Sequence, residues 1–391
     1  MLHSGRKRLL ICRLIAKLFA TRFTTLAAHI RLQTKIRPMQ TLAELLTCQG
    51  AQIEAGTTTF ANQDARQAIA LAAAQTTLVP LTHLGLIRVA GEDAAVFLHN
   101  LLTHEMKKWP EGTVRRAGFC TAKGRLLAHF MVWKQGADYL LQIPLALQEV
   151  LQRKLSMYVL RSKVKLTDAG SELACIGLAN VADAQALAAA LQAAGLPVPE
   201  QNMKCATAEA AQVLRLENGR YILCVPQANL ADYWQKLTGA QAVPVGSDAW
   251  RWLDVQAGVP NVLPGTQEEF VPQMANYDLI DAVSFTKGCY PGQEIVARTQ
   301  YLGKLKRRMF IAHLAQDNAP AAGTPLYSPA TEDQACGAVV DATPAPQGGS
   351  DLLVVVQISS HDAGTVTVGQ PDGPALQFAN MPYAITQAES A

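Results

Sequence analysis

The spacing of hydrophobic and polar residues predicts alternating helices and strands through the first 170 residues. Apolar residues every three or four positions favour helices, and short runs of alternating residues favour strands. The turn Lys123-Gly124-Arg125 would join two of these strands as a hairpin. In chain order, the predicted elements are a helix at 62–75, a strand at 85–89, a helix capped by Asp93, strands at 114–121, 126–133 and 139–143, a helix at 145–158 and a strand at 159–164.

The pattern changes near residue 171 and again near residue 305. Residues 171–246 follow the order strand, helix, strand, strand, helix, strand, which is typical of a ferredoxin-like split βαβ unit. Residues 305–391 hold short β-rich runs between proline and glycine turns, which predicts a small β-barrel. We therefore predict an α+β protein of three parts. Their expected bounds are 39–170 plus 247–304 for a mixed α/β domain, 171–246 for the ferredoxin-like domain and 305–391 for the barrel.

Length and composition agree with a folded protein of more than one domain. The chain has 391 residues, which exceeds one ordinary hydrophobic core. Because 49% of the residues are hydrophobic and 17% are charged, a disordered protein is excluded.

Residues 1–38 form a basic leader that we leave out of the fold. The leader carries nine basic residues and no acidic one, whereas the remainder has 25 basic and 31 acidic residues. Its apolar run is too short and too charged for a membrane span, so it is either an organelle transit peptide or sequence upstream of a true start at Met39. We expect a cytoplasmic protein if the chain starts at Met39, and a mitochondrial one if the leader is a transit peptide.

Charge and cysteine spacing narrow the function classes. Outside the leader, the dense basic run is Lys304, Lys306, Arg307 and Arg308, so neither a stable nucleic-acid partner nor a membrane partner is expected. The eight cysteines show no C-x-x-C pair, which argues against a disulfide framework and a structural zinc site, and we predict no metal. His99 and His104 have no third ligand nearby in the sequence.

The segment from Trp250 to Arg308 carries the candidate chemistry. A predicted helix with Trp250 and Trp252 leads into an irregular connection that lasts to Phe285, and long irregular connections are usually functional. Gly288 and Gly292 allow the backbone to turn around Cys289, and a helix at 293–301 then follows. The helix N-terminus, Lys287 and Arg298 would favour a reactive thiolate at Cys289. A passive surface thiol is the alternative.

The run from Val283 to Glu294, with Val296-Ala297-Arg298 and Gly303, closely resembles the signature of the YgfZ-like folate-binding proteins. These proteins are relatives of the aminomethyltransferase (T-protein) of the glycine cleavage system. Further matching segments occur in the expected order, and the resemblance covers about residues 77–313. They are Gly91-Glu92-Asp93, Lys123-Gly124-Arg125, the segment 158–164, Ala257-Gly258-Val259-Pro260 and Pro272-Gln273 with Asn276.

The resemblance implies a doughnut-like arrangement with tetrahydrofolate, or a one-carbon derivative, in the central opening. Such a site needs an aromatic wall, an edge of acceptors and cations for the glutamate tail. We expect Cys289, with Lys287 beside it, to act on the same cavity. The predicted cofactor-binding residues are Trp250 as the wall, Gln273 or Glu294 at the edge, Lys287, Arg298 or Arg161 as cations, and Asn276, Tyr290, Gln293 and Glu105 around them. For Trp250, packing in the core is the alternative.

One position separates the two branches of the family. Where the T-protein carries an Asp that acts on the aminomethyl group, this chain has Glu105, and one extra methylene moves a carboxylate by about an ångström. The leading hypothesis is therefore a tetrahydrofolate-binding accessory factor for iron–sulfur cluster assembly or repair, with iron–sulfur enzymes or assembly factors as transient partners. A folate-dependent aminomethyl transferase and a scaffold that has lost its ligand remain as alternatives.

Overall fold

A computed structural model describes residues 41–303, 305–332 and 334–385. The predictions made for the leader lie outside these residues. From Thr41 onward the chain clusters as one compact unit. Within the described residues, no helix combines the length and the apolar character that crossing a membrane would require.

Short helices connect the strands of this fold. Thr41 caps the first helix, and Asp64 caps the second in a reciprocal capping box with Gln67. The α-helices of the described residues are α1 (Leu42–Cys48), α2 (Ala65–Ala74), α3 (Ala94–Leu101), α4 (Leu145–Ser156), α5 (Ala184–Ala193), α6 (Leu230–Gly239), α7 (Asp248–Gln256), α8 (Gln293–Tyr301) and α9 (Ile358–Asp362).

The strands make four sheets in the described part of the chain. They are β1 (Ala51–Glu54), β2 (Thr57–Phe60), β3 (Thr77–Pro80), β4 (Leu84–Ala90), β5 (Val114–Cys120), β6 (Leu126–Gln135), β7 (Asp138–Pro144), β8 (Lys165–Asp168), β9 (Leu173–Ala179), β10 (Lys204–Ala208), β11 (Ala211–Leu216), β12 (Arg220–Pro226), β13 (Val243–Pro244), β14 (Arg307–Leu314), β15 (Pro325–Tyr327), β16 (Ala335–Pro344), β17 (Ser350–Gln357), β18 (Thr367–Val368) and β19 (Leu376–Ala379).

The first large sheet has the order β5-β6-β7-β4-β8 and packs against a core that includes α3 and α4. The predicted hairpin turn is confirmed, and Gly124 adopts a φ of 69° there. The strand predicted at 159–164 is wrong, because this segment is a turn in which Leu160 has a φ of 46° and is 88% exposed. Asp93 does not cap α3 through its side chain, since its carboxylate accepts from the backbone N–H of Lys163.

The second sheet has the order β10-β11-β12-β9-β3-β13. Without β3 and β10, its order β11-β12-β9-β13 is that of a ferredoxin-like sheet. However, β3 lies between β9 and β13, so a strand from outside the predicted range 171–246 completes this sheet. Pairing between distant segments decides such an insertion, and local periodicity does not encode it.

The third sheet has the order β18-β15-β16-β17-β14-β19 and encloses its own apolar core. A single bridge joins Thr367 in β18 to Ala375, which directly precedes β19, so the two edges of the sheet approach each other. The remaining sheet is the hairpin of β1 and β2.

The connection between α7 and α8 is irregular, as predicted, with short 3₁₀ turns at Pro264–Thr266 and Pro272–Ala275. Its backbone is fixed by polar contacts to β14. The guanidinium of Arg308 donates to both carboxylate oxygens of Asp278, at 2.6 and 2.8 Å, and to the carbonyl of Gln273. The connection is therefore tied to β14 through Arg308.

Candidate functional site

A cavity of about 330 Å³ lies where the first sheet, the second sheet, the irregular connection and the end of the described chain meet. Apolar side chains, including Val114, Val259 and Leu279, form part of its wall. Its polar lining comes from four separate segments, namely Arg115 and Arg116 in β5, Glu217 and Asn218 in the turn after β11, Asp281 in the connection and Tyr383 near the end of the described chain.

A two-point ion pair forms one polar side of the cavity. Arg116, which is 1% exposed, donates to both carboxylate oxygens of Glu217 at 2.8 and 2.7 Å. Burial raises the pKa of Glu217, but the hydrogen bonds and charge of Arg116 outweigh it and lower the pKa to about 2. The buried Nε atom of Arg116 has no hydrogen-bond partner among the described residues.

A chain of polar contacts runs from the cavity to the end of α3. The ring of His104 lies 3.2 Å from the carboxylate of Asp281 and accepts from the backbone N–H of Glu105 at 2.8 Å. Arg115 donates to the carbonyl of Glu105 and lies 3.3 Å from the ring of His104. Glu105 is thus linked directly to Arg115, which lines the cavity, and to His104, which contacts the lining residue Asp281.

The Glu105 carboxylate is held by several donors. It accepts from the backbone N–H groups of Lys107 and Lys108, at 2.7 and 3.2 Å, and its Oε1 lies 2.8 Å from Nδ1 of His99. Burial raises the pKa of Glu105, but these hydrogen bonds and the His99 ring together lower it below its usual range. The carboxylate is consequently fixed in position and stays ionised at neutral pH.

Lys287 fastens the cysteine loop to the end of α3. Its buried ammonium donates to the carbonyl of His99 and, at 2.6 Å, to that of Leu102. It also lies 4.6 Å from the ring centroid of the buried Tyr290. Burial lowers the pKa of Lys287 to about 8, and the charges of Glu105 and Cys289 oppose this decrease.

The loop reaches α8 through Gly292, where both the backbone conformation and a close approach require glycine. Gly292 has a φ of 80°, and a Cβ atom there would lie 2.4 Å from the carbonyl oxygen of Thr121 and 2.5 Å from Cα of Gly124. The β5–β6 hairpin turn therefore packs directly against the start of α8. Cys289 itself is an exposed, free thiol.

The sequence and the fold place the chain among known proteins. The GCVT N-terminal domain family matches residues 57–287. The tRNA-modifying protein YgfZ of Colwellia psychrerythraea is 31% identical over 239 residues, which are 60% of this chain and 71% of that protein. The chain belongs to the YgfZ-like family.

Two further similarities extend over most of the chain. The tRNA-modifying protein YgfZ of Klebsiella pneumoniae is 26% identical over 316 residues, which cover 80% of this chain and 94% of that protein. The crystal structure of the glycine cleavage system aminomethyltransferase T from Bartonella henselae matches with a TM-score of 0.71 at 18% identity, over 87% of this chain and 96% of that one. The family resemblance and the T-protein-like fold are thereby confirmed.

The structure brings four of the predicted site residues together. Lys287, Tyr290 and Glu105 surround the end of α3, and Gln293 donates from Nε2 to the carbonyl of Lys287 at 3.3 Å. Cys289 adjoins this group in the chain, but it is exposed and is not among the residues that line the cavity. The expectation that the thiol forms part of the cavity wall is therefore corrected.

Trp250 is a core residue and does not line the cavity. It is 2% exposed, belongs to the core beneath the second sheet and lies against Gly177 of β9. The guanidinium of Arg220 lies 5.2 Å from its ring centroid, and Arg220 donates to Asp254 at 2.6 Å. Trp250 therefore does not form the predicted aromatic wall, because the apolar face of α7 packs on the second sheet.

Gln273 and Asn276 stabilise the irregular connection. Gln273 donates to the carbonyl of Val296 in α8 at 2.7 Å. Asn276, with a φ of 58°, donates to the carbonyl of Met309 at 2.9 Å. Neither lines the cavity, although the amide of Asn276 also lies 3.3 Å from the hydroxyl of Tyr383, which does.

The remaining predicted cations and acids lie outside the cavity lining. Glu294 and Arg298 are exposed on α8. Arg161 is exposed beside Leu160 in a separate open groove along α3. The structure thus does not bring Arg161 together with the residues around Lys287.

Sequence reasoning missed the charged residues that line the cavity. One available signal was the consecutive pair Arg115-Arg116 inside an otherwise apolar strand, and another was Glu217-Asn218 at a tight turn. Among the described residues, no group of three or more His, Cys, Asp or Glu side chains is arranged to hold a metal ion.

Proposed function

We propose that this chain binds a reduced folate in the cavity between its sheets and supports iron–sulfur cluster assembly or repair through Cys289. Membership in a family related to the T-protein supports the folate part of this proposal. The iron–sulfur part follows from the signature loop around Cys289.

The residues of the cavity fit the chemistry of a reduced folate. The carboxylate of Glu217 and the amide of Asn218 offer acceptors to the N–H donors of a pteridine, and the apolar wall suits its ring. The guanidinium of Arg115 suits acceptor or carboxylate groups of the same ligand. A volume of about 330 Å³ lies within the range of small-molecule sites. When bound, the folate would supply a carrier for one-carbon units.

The observation that carries the role of the thiol is the path from the cavity to Lys287. Arg115 contacts Glu105, and Glu105 and Cys289 both act electrostatically on the Lys287 ammonium. Because Lys287 is anchored on the carbonyls at the end of α3, a ligand that moves Arg115 or Glu105 would alter the surroundings of Cys289.

Folate binding is tested by isothermal titration calorimetry of the full chain with tetrahydrofolate under anaerobic conditions. Glu217→Gln removes the charge of the acceptor while keeping its size, and Glu54→Gln on the exposed β1 strand is the matched control. We expect Glu217→Gln to weaken binding roughly tenfold to a hundredfold, the cost of one hydrogen bond to a charged group, and the control to bind as the parent does. Equal affinity of all three proteins would place the ligand elsewhere.

The role of the thiol is tested in cells that depend on this protein. Cys289→Ser is compared with Cys48→Ser, which changes another exposed cysteine, the last residue of α1 and far along the chain from the loop. We expect Cys289→Ser to lower the activities of iron–sulfur enzymes and Cys48→Ser to leave them unchanged. Full activity with Cys289→Ser would remove the thiol from the proposal. Because the relatives are named tRNA-modifying proteins, the modified nucleosides of bulk tRNA form a second readout.

Aminomethyl transfer is the second candidate, and the T-protein-like fold favours it. It requires formation of methylene-tetrahydrofolate from an aminomethyl donor, with loss of product in Glu105→Gln. The carboxylate of Glu105 is already engaged by two backbone N–H groups and His99, so we expect no turnover. Product formation by the parent that Glu105→Asp increases would establish the transferase instead.

A further inference from the structure

Two free cysteines lie directly opposite each other in the second sheet. Cys175 in β9 is paired in register with Cys224 in the antiparallel strand β12. The relation is independent of the folate cavity and of Cys289. Whether two such thiols can be joined depends on which kind of antiparallel pair they occupy.

Backbone hydrogen bonds identify the kind of pair. The carbonyl of Cys175 accepts from the N–H of Leu81, next to β3, so the polar backbone groups of Cys175 point away from β12. The N–H of Asn180, five residues later, donates to the carbonyl of Gly219 on the β12 side. Because these directions alternate along a strand, Cys175 and Cys224 form a non-hydrogen-bonded pair.

Non-hydrogen-bonded pairs bring their side chains closest together. Their Cα atoms are about 4.5 Å apart, compared with about 5.5 Å in the hydrogen-bonded type. Disulfides span Cα distances of about 4.4–6.8 Å, so the pair can be bridged without moving either strand.

The two thiols differ in exposure. Cys224 is fully buried in the core beneath the sheet, and Cys175 is partly exposed at its margin. The pKa of Cys224 lies well above its ordinary value because its thiol interacts with the Cys175 thiol and because it is buried. Cys175 is therefore the thiol that a small oxidant reaches, and Cys224 is the protonated neighbour.

We propose that Cys175 and Cys224 form an oxidisable dithiol that hydrogen peroxide converts into a cross-strand disulfide. The sulfur of Cys175 attacks one peroxide oxygen, the O–O bond breaks, and water leaves as Cys175 becomes a sulfenic acid. The sulfur of Cys224 then attacks that of Cys175, the S–O bond breaks, and the Cys224 proton leaves with the hydroxide as a second water. Two thiols lose two electrons in total, and one peroxide becomes two waters.

The other described cysteines lack this arrangement. Cys205 is opposite Leu214, and Cys48 and Cys289 are exposed without a cysteine partner in register.

The disulfide would also affect the cavity. Since β12 begins directly after the turn that carries Glu217 and Asn218, the disulfide would fix the strand that supports one side of the cavity.

Mass spectrometry of the native, full-length protein tests the proposal. The protein is treated with graded hydrogen peroxide, remaining thiols are alkylated after denaturation, and trypsin is added. Cleavage at Lys165, Lys204, Arg220 and Lys236 places Cys175 and Cys224 alone in peptides 166–204 and 221–236. We expect the linked pair of peptides to be the dominant disulfide, to vanish on reduction, and to be absent in Cys175→Ser and Cys224→Ser but retained in Cys205→Ser.

Dimedone labelling of the exposed Cys289 in a parallel aliquot shows that the oxidant has acted. The proposal would be overturned if Cys289 is oxidised, no linked peptide forms, and Cys175 either stays reduced or ends as a sulfinic acid. A linked peptide that appears only when peroxide is added in urea would also overturn it, because the sheet would then play no part.

Discussion

The contact between Gly177 and Trp250 gives a direct test of where the indole ring lies. A Cβ atom at Gly177 would lie 2.4 Å from both Cε3 and Cζ3 of Trp250, about 1 Å closer than ordinary van der Waals contact. The backbone of Gly177 is not in the left-handed region, so the substitution Gly177→Ala creates a steric conflict without backbone strain.

The magnitude follows from two opposing effects. Adding a methyl group to a filled core costs about 1–3 kcal/mol, while replacing glycine by alanine in an unstrained strand recovers about 0.4–1 kcal/mol from the unfolded state. We therefore expect Gly177→Ala to lower the free energy of unfolding by about 1–2 kcal/mol. Trp250→Leu removes both contacted ring carbons and costs about 3 kcal/mol alone, but the double variant should be about 1 kcal/mol more stable than the sum predicts.

The assay is urea unfolding followed by far-UV circular dichroism for the parent, the two single variants and the double variant. Gly239→Ala, at the end of α6, is the matched control because nothing lies within 4 Å of its added methyl group and its backbone is not left-handed. We expect this control to be at least as stable as the parent.

The core placement of Trp250 would be refuted by a specific combination of results. If Gly177→Ala matched the control and Trp250→Leu kept full stability while losing folate affinity, the indole would face the ligand. Additive effects in the double variant would show that the two residues do not touch.

Three further predictions concern charged residues and the thiol. Lys287→Met should lower the free energy of unfolding by about 2–4 kcal/mol, because two buried carbonyls lose their donor. The folded pKa of Lys287 is about 8, below the ordinary 10.5, so the unfolded chain holds more protons between these two pH values. The free energy of unfolding of the parent should therefore rise with pH across this window. It should rise more steeply in the parent than in Lys287→Met. The pKa of Glu217 is about 2 in the folded protein, against an ordinary value of 4.5. Its carboxylate should therefore stabilise the fold above pH 4.5, and this stabilisation should be lost as the pH falls towards 2. Acid unfolding curves of Glu217→Gln should show a smaller loss of stability over this range. Cys289→Ser should change the free energy of unfolding by less than about 0.5 kcal/mol, since the residue is exposed, and a larger loss by differential scanning calorimetry would make the thiol structural.

Local patterns were sufficient for most elements of this fold. The helix predicted at 293–301 is observed as α8 with the same bounds, and the strands near 114, 126 and 139 begin within one residue of their predicted starts. The segment 159–164 failed, because its apolar residues suggested a strand whereas Leu160 faces solvent in a turn. Apolar composition alone does not reveal whether a residue has a neighbour to pack against.

The sequence by itself determined the family, most of the helices and strands, and the glycine-flanked thiol loop, since each depends on residues close together in the chain. Only the tertiary structure decided that Trp250 packs in the core and that Lys287 is anchored to the end of α3. The cavity likewise joins Arg116, Glu217 and Tyr383, which are separated by up to 267 positions in the chain. Periodicity specifies which face of an element is buried, whereas long-range packing alone specifies what that face meets.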